Sequence, residues 1–180
     1  MNVIAVFYQT LHALGQICLF RAKPTALPYS WFMLALFIAL DFVLNVYHLG
    51  QLKAQISADI PLVERSIGAM LSIFALVAIT YSMLLKRNLA SRLHKFLLAI
   101  FGTELMLTGL AQLLFSITGS EAVPTLQLIL TIWRLAVQIQ IIQSTFEAKL
   151  PQAILLLLGI ILAASLPLWF IIGMNLPPQP

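Results

Sequence analysis

Residues 152–173 read QAILLLLGIILAASLPLWFIIG, 22 residues without one Asp, Glu, Lys or Arg. A helix on the surface of a soluble domain keeps a charged or polar face. This stretch keeps none, and about 20 apolar residues is the length that crosses the hydrocarbon of a bilayer. Pro151 precedes it, and Trp169 sits near its far end, where an interfacial aromatic belongs. The segment reads as a transmembrane helix.

Working towards the N-terminus, four more runs repeat the pattern: Pro124 to Phe146, Phe96 to Thr118, Ser66 to Leu85 and Trp31 to Leu49. Tyr29, Trp31 and Tyr47 flank the last of these as an aromatic belt would. Across all 180 residues, 61% are hydrophobic and 9% are charged, whereas a soluble domain carries about 25% charged residues. Five spans and their connections use up the chain, so no stretch is left for a water-soluble core. A single cysteine, Cys18, excludes an intrachain disulfide, a thiolate zinc cluster and a CxxC redox pair.

Residues 1–20 are apolar on one side, with Val3, Phe7, Leu11, Leu14 and Cys18 at helical spacing and Gln9, His12 and Gln16 on another face. This predicts an amphipathic helix lying in the interface. No charged n-region or small-x-small site marks it for cleavage. Pro24 and Pro28 then impose a short extended link. The expected organisation is an N-terminal helix and link over residues 1–28, a five-span domain over 29–174 and an irregular Pro-rich tail over 175–180. The fold class is an all-α multi-pass bundle.

Charge sets the orientation. Arg21, Lys23, Lys86, Arg87, Arg92, Lys95 and Lys149 fall on one side with one acid, Glu147. Lys53 and Arg65 fall on the other with Asp59, Glu64 and Glu121. With five spans, the positive-inside rule places the N-terminus in the cytoplasm and the C-terminus opposite; should residues 2–20 also cross, there are six spans and an external N-terminus, and the other loops keep their sides. The net charge of +4 follows from these flanks and does not imply nucleic acid.

Of the sixteen Asp, Glu, Lys and Arg residues, three lie inside the runs: Asp41, Glu104 and Arg134. A charge at mid-bilayer costs at least about 2.5–3.5 kcal/mol, so such groups find partners or water. Asn45 and His48 share a face with Asp41. Thr108, Gln112 and Ser116 follow Glu104 at intervals of four, and Gln127, Thr131 and Gln138 flank Arg134. These stripes predict helix contacts in which Arg134 is the cation between two carboxylates. The excess acid leaves room for a carboxyl that holds a proton. The linker carrying Lys86, Arg87, Arg92 and Lys95 is a candidate surface for anionic lipid or an acidic partner. His12, His48 and His94 show no metal-ligand spacing, and neither a nucleophile elbow nor a phosphate loop is present. No catalytic role, cofactor or metal is expected.

An amphipathic N-terminal segment and a link with Pro24 and Pro28, placed before five closely spaced helices, resembles the Ypt-interacting protein (Yip) family in its small bacterial form. The family's aspartate-leucine-tyrosine-glycine-proline signature is absent, so no functional residue is carried over. The expected protein is a bacterial inner-membrane scaffold or accessory subunit that organises lipid, or holds a membrane-protein partner or a second copy of itself. The alternative is a small proton-coupled transporter or channel component using Asp41, Glu104 and Arg134.

Overall fold

The computed structural model describes residues 3–51, 61–117 and 122–175, and all its regular structure among them is helical. Among the described residues there are six α-helices: α1 (Val3–Cys18), α2 (Trp31–Gln51), α3 (Leu62–Lys86), α4 (Leu93–Ile117), α5 (Val123–Phe146) and α6 (Leu150–Asn175). Short 3₁₀ turns at Pro24–Ala26 and Ala90–Arg92 precede α2 and α4. Among the described residues four helices, α3 to α6, are long and apolar enough to cross a membrane. In α2 the stretch Trp31–Tyr47 is a shorter apolar helix by the same measure. The tail beyond Asn175, the side chain of His48, and the loop residues Lys53, Asp59 and Glu121 lie outside what is described.

Hydrocarbon offers no partner for an open peptide group, so each segment closes its backbone bonds within itself. The helix ends follow from this pressure. Pro61 sits just before α3 and Pro124 in the first turn of α5, where a missing N–H costs nothing. Three helices stop through residues in the left-handed region, none of them glycine: Phe20 (φ 60°), Asn88 (φ 57°) and Glu147 (φ 53°). Phe20 and Asn88 each close a Schellman pair. Arg21 N–H bonds the Gln16 carbonyl at 2.8 Å, and Leu89 N–H bonds the Leu84 carbonyl at 2.8 Å.

The helices alternate in direction and close into a ring in the order α2–α3–α6–α5–α4, with α4 returning to α2. One end gathers the start of α2, α4 and α6 with the finish of α3 and α5. It is here called the basic end, because it carries Arg87, Arg92 and Lys95. This end is close-packed. Phe96, Leu98, Ile141, Ile142 and Phe146 are all at most 1% exposed, and the Phe96 and Phe146 rings meet edge to face at 5.8 Å. Tyr29 stacks on His94 at 4.0 Å, and Trp31 meets the same ring edge-on, fastening the link to α4. Towards the other end, Leu113, Ile117, Leu128 and Ile129 turn outward, each at least 55% exposed.

Helix α1 packs outside the ring, chiefly on α4. Its buried face is Val6, Thr10, Leu14, Ile17 and Cys18. Of the apolar stripe expected to meet the interface, Leu14 and Cys18 are buried against the bundle, whereas Val3 and Phe7 are exposed. Thr10 tolerates burial because its hydroxyl donates to the Val6 carbonyl at 2.7 Å. Gly102 allows the contact: a Cβ there would lie 2.6 Å from Leu14 Cδ1 and 3.1 Å from Phe37 Cε2. The Trp133 indole donates to the Cys18 carbonyl at 2.9 Å. Trp133 lies thirteen residues before the end of α5, about 20 Å from the basic end at 1.5 Å per residue. The link then returns: Gln140 Nε2 donates to the Ala22 carbonyl at 3.2 Å and Lys95 Nζ to the Thr25 carbonyl at 2.7 Å. The N-terminal helix therefore finishes deep along the bundle, not at its rim.

Candidate functional site

All five ring helices line one cavity of about 450 Å³. Its polar residues are Asp41 and Asn45 from α2, Ser72 from α3, Glu104 from α4, Arg134 and Gln138 from α5 and Ser165 from α6. Asp41 stands ten residues after Trp31, Glu104 eleven after Leu93 and Arg134 twelve before Phe146. These offsets put the three about 15–18 Å from the basic end. They occupy one layer, as their positions within the runs predict.

Their pairing differs from the predicted triad. Arg134 Nη1 lies 3.2 Å from Glu104 Oε1, and Nη2 donates to Thr108 Oγ1 at 3.1 Å. Glu104 and Thr108 are one turn apart on α4, so a single guanidinium spans both. Asp41 has no ion pair with Arg134. Its carboxylate Oδ2 accepts the Asn45 amide at 2.9 Å, and the same amide reaches the Asp41 carbonyl at 2.9 Å. Ring order is the reason. Helix α2 borders α3 and α4, and α4 intervenes between α2 and α5. The site is thus one ion pair and one separate acid facing a shared cavity.

Exposure separates the two units. Asp41 is 9% exposed, whereas the Glu104 and Arg134 side chains are 27% and 37% exposed. Two cavity residues are themselves exposed, Leu135 at 40% on α5 and Ile161 at 42% on α6. They mark a mouth at the α5–α6 seam. Towards the basic end the cavity floor is apolar, formed by Phe96, Phe101, Ile142, Leu157 and Ile160.

Of the predicted network, Asp41, Asn45, Glu104, Arg134 and Gln138 line the cavity, and Thr108 joins through Arg134. Gln112 does not join; it is exposed, as are Ser116, Gln127 and Thr131. The stripes on α4 and α5 turn outward once the helices pass the charged layer. Thr131 and Ser116 instead return their hydroxyls to their own helix, to the carbonyls of Gln127 (2.8 Å) and Leu113 (2.7 Å). Ser72 and Ser165 did not stand out from the sequence. Gly68, Ala69 and Ser72 form a small-residue face on α3, the pattern that lets helices approach closely, and this signal points to the position.

The basic linker closes the bundle. Arg87 Nη1 donates to the Phe146 carbonyl at 2.8 Å, Arg92 Nη1 to the Thr145 carbonyl at 3.1 Å, and Arg92 also pairs with Glu147. Cations thereby satisfy the last carbonyls of α5, where the helix dipole is negative. Lys95 holds the link through Thr25, and Lys86 is exposed. Cys18 is buried, and burial pushes its thiol up to about 11. Among the described residues no group of three His, Cys, Asp or Glu side chains is placed to hold a metal. No family model, curated protein or solved structure matches this chain.

Proposed function

We propose that this chain is a non-catalytic inner-membrane protein that moves protons or a small cation through a five-span ring. In this reading α2 is the fifth span, the basic end faces the cytoplasm, and α1 with its link is a re-entrant hairpin entered from that side. The observation that carries the proposal is the cavity itself: every ring helix contributes to it, and it encloses Asp41 beside the Glu104–Arg134 pair. Intramembrane acids are expensive and mark ion and proton paths. The pair is neutral as a unit, so the balance of charge rests on Asp41 and on whatever cation reaches it.

The accessory-subunit reading keeps its basis in the polar stripes of the helices and in the basic linker. The internal use of Arg87, Arg92 and Lys95 leaves it less free basic surface, which favours the cavity. Purified protein in liposomes carrying a pH-sensitive dye tests the choice. Under an inside-negative potential, proton entry should exceed that of empty vesicles and fall to their level in Asp41→Asn. Entry no faster than in empty vesicles would return the scaffold reading to first place.

A further inference from the structure

We infer that the cavity binds a lipid-soluble ammonium compound, its charged head on Asp41 and its apolar body on the Phe96–Phe101 floor. The inference rests on the cavity proposed above as a cation path and names the class of cation. Four observations carry it. The cavity holds two carboxylates and one guanidinium, and the guanidinium is committed to Glu104 and Thr108. Asp41 is engaged by the Asn45 amide through Oδ2, which leaves Oδ1 for a further donor. The Ser72 hydroxyl lines the same cavity, is buried, and has no hydrogen-bond partner among the described residues. An ammonium carries several N–H donors, and a carboxylate and a free hydroxyl both accept.

The remaining observation concerns shape. The mouth between Leu135 and Ile161 opens on faces that are apolar and exposed, so entry is from hydrocarbon. A ligand using that route must be soluble in lipid apart from its head. The floor then offers aromatic and branched side chains about 5–15 Å from the basic end, from the close-packed core up to the charged layer. A volume of about 450 Å³ falls at the lower end of small-molecule sites, which span about 300–1,000 Å³. It suits a compact body, not a two-chain lipid.

Three probes with one cage and different heads test the charge preference: adamantylamine, adamantanol and adamantane carboxylate. Binding to the full chain in lipid nanodiscs is measured by displacement of radiolabelled adamantylamine. The amine should bind most tightly, and Asp41→Asn should weaken it roughly thirtyfold or more, as loss of a buried charge partner does. Asp41→Glu should retain part of the affinity. Ile161→Trp, which leaves Asp41 untouched, should slow amine association by narrowing the mouth. Equal binding of alcohol and amine overturns the inference, as does tighter carboxylate binding that depends on Arg134. Proton entry without amine binding sinks this inference alone. Amine binding without proton entry sinks the transport reading and leaves a binding protein.

Discussion

The two ends of the ring solve different problems with the same helices. At the basic end, large side chains fill the space between helices and cationic groups close the exposed carbonyls. Farther along α4 and α5, apolar side chains face outward and the space between helices is left as a cavity. Lipid is as apolar as leucine, so burying leucine between helices gains little from the hydrophobic effect. Packing and hydrogen bonds decide where the bundle is tight. The difference teaches that the basic end holds the fold, and the charged layer is free to serve a ligand.

Truncation at the tight end is the strongest challenge to that division. Phe96→Ala removes a ring that is 1% exposed and should cost about 3 kcal/mol through the cavity it leaves. Leu128→Ala, at a position 61% exposed, should change stability by less than about 0.5 kcal/mol. Thermal denaturation in one detergent compares them, and equal losses would erase the distinction between the ends. Gly102→Val tests the α1 contact. The added Cβ meets Leu14 at 2.6 Å, and overpacking of this kind costs about 1–3 kcal/mol. Tryptophan fluorescence should also report Trp133 leaving the Cys18 carbonyl.

Arg134→Leu should cost about 2 kcal/mol, below the usual figure for a buried pair because both partners are partly exposed. Adding Glu104→Gln should restore part of this, since it removes the stranded charge. Smaller still, Arg92→Ala should lower stability by about 1 kcal/mol through the α5 carbonyl and its partner Glu147. Last comes Cys18. With the thiol held near 11 by burial, almost no thiolate exists at neutral pH, so alkylation should be slow in the folded state. In detergent, Gly102→Val should speed that reaction if α1 is displaced, which gives a second readout on the same contact.

The helices were legible in the sequence because lipid demands a fixed apolar length, and residues 152–173 satisfy it without ambiguity. Helix limits agree with the apolar runs within a few residues; α3, read from Ser66, begins at Leu62. The Glu104–Arg134 pair was legible from cost alone. The place of Asp41 was not, because depth can be counted along a chain and lateral order around a ring cannot. The docking of α1 on α4 was not legible for a related reason. Its apolar stripe reads as an interfacial face, and spacing along the chain does not show that Leu14 and Cys18 meet the bundle while Val3 and Phe7 stay exposed. The stops at Phe20, Asn88 and Glu147 lacked the glycine that usually announces a left-handed cap. The basic linker read as surface because its acceptors, the carbonyls of Thr145 and Phe146, lie more than fifty residues away.

The separation of Asp41 from the Glu104–Arg134 pair is tested most directly by two double-mutant cycles on unfolding stability. Arg134→Leu is combined in turn with Glu104→Gln and with Asp41→Asn. Coupling of about 1–2 kcal/mol is expected between Arg134 and Glu104, and less than about 0.5 kcal/mol between Arg134 and Asp41. Equal coupling of Arg134 to both acids would contradict the separation, and would put the arginine between the carboxylates after all.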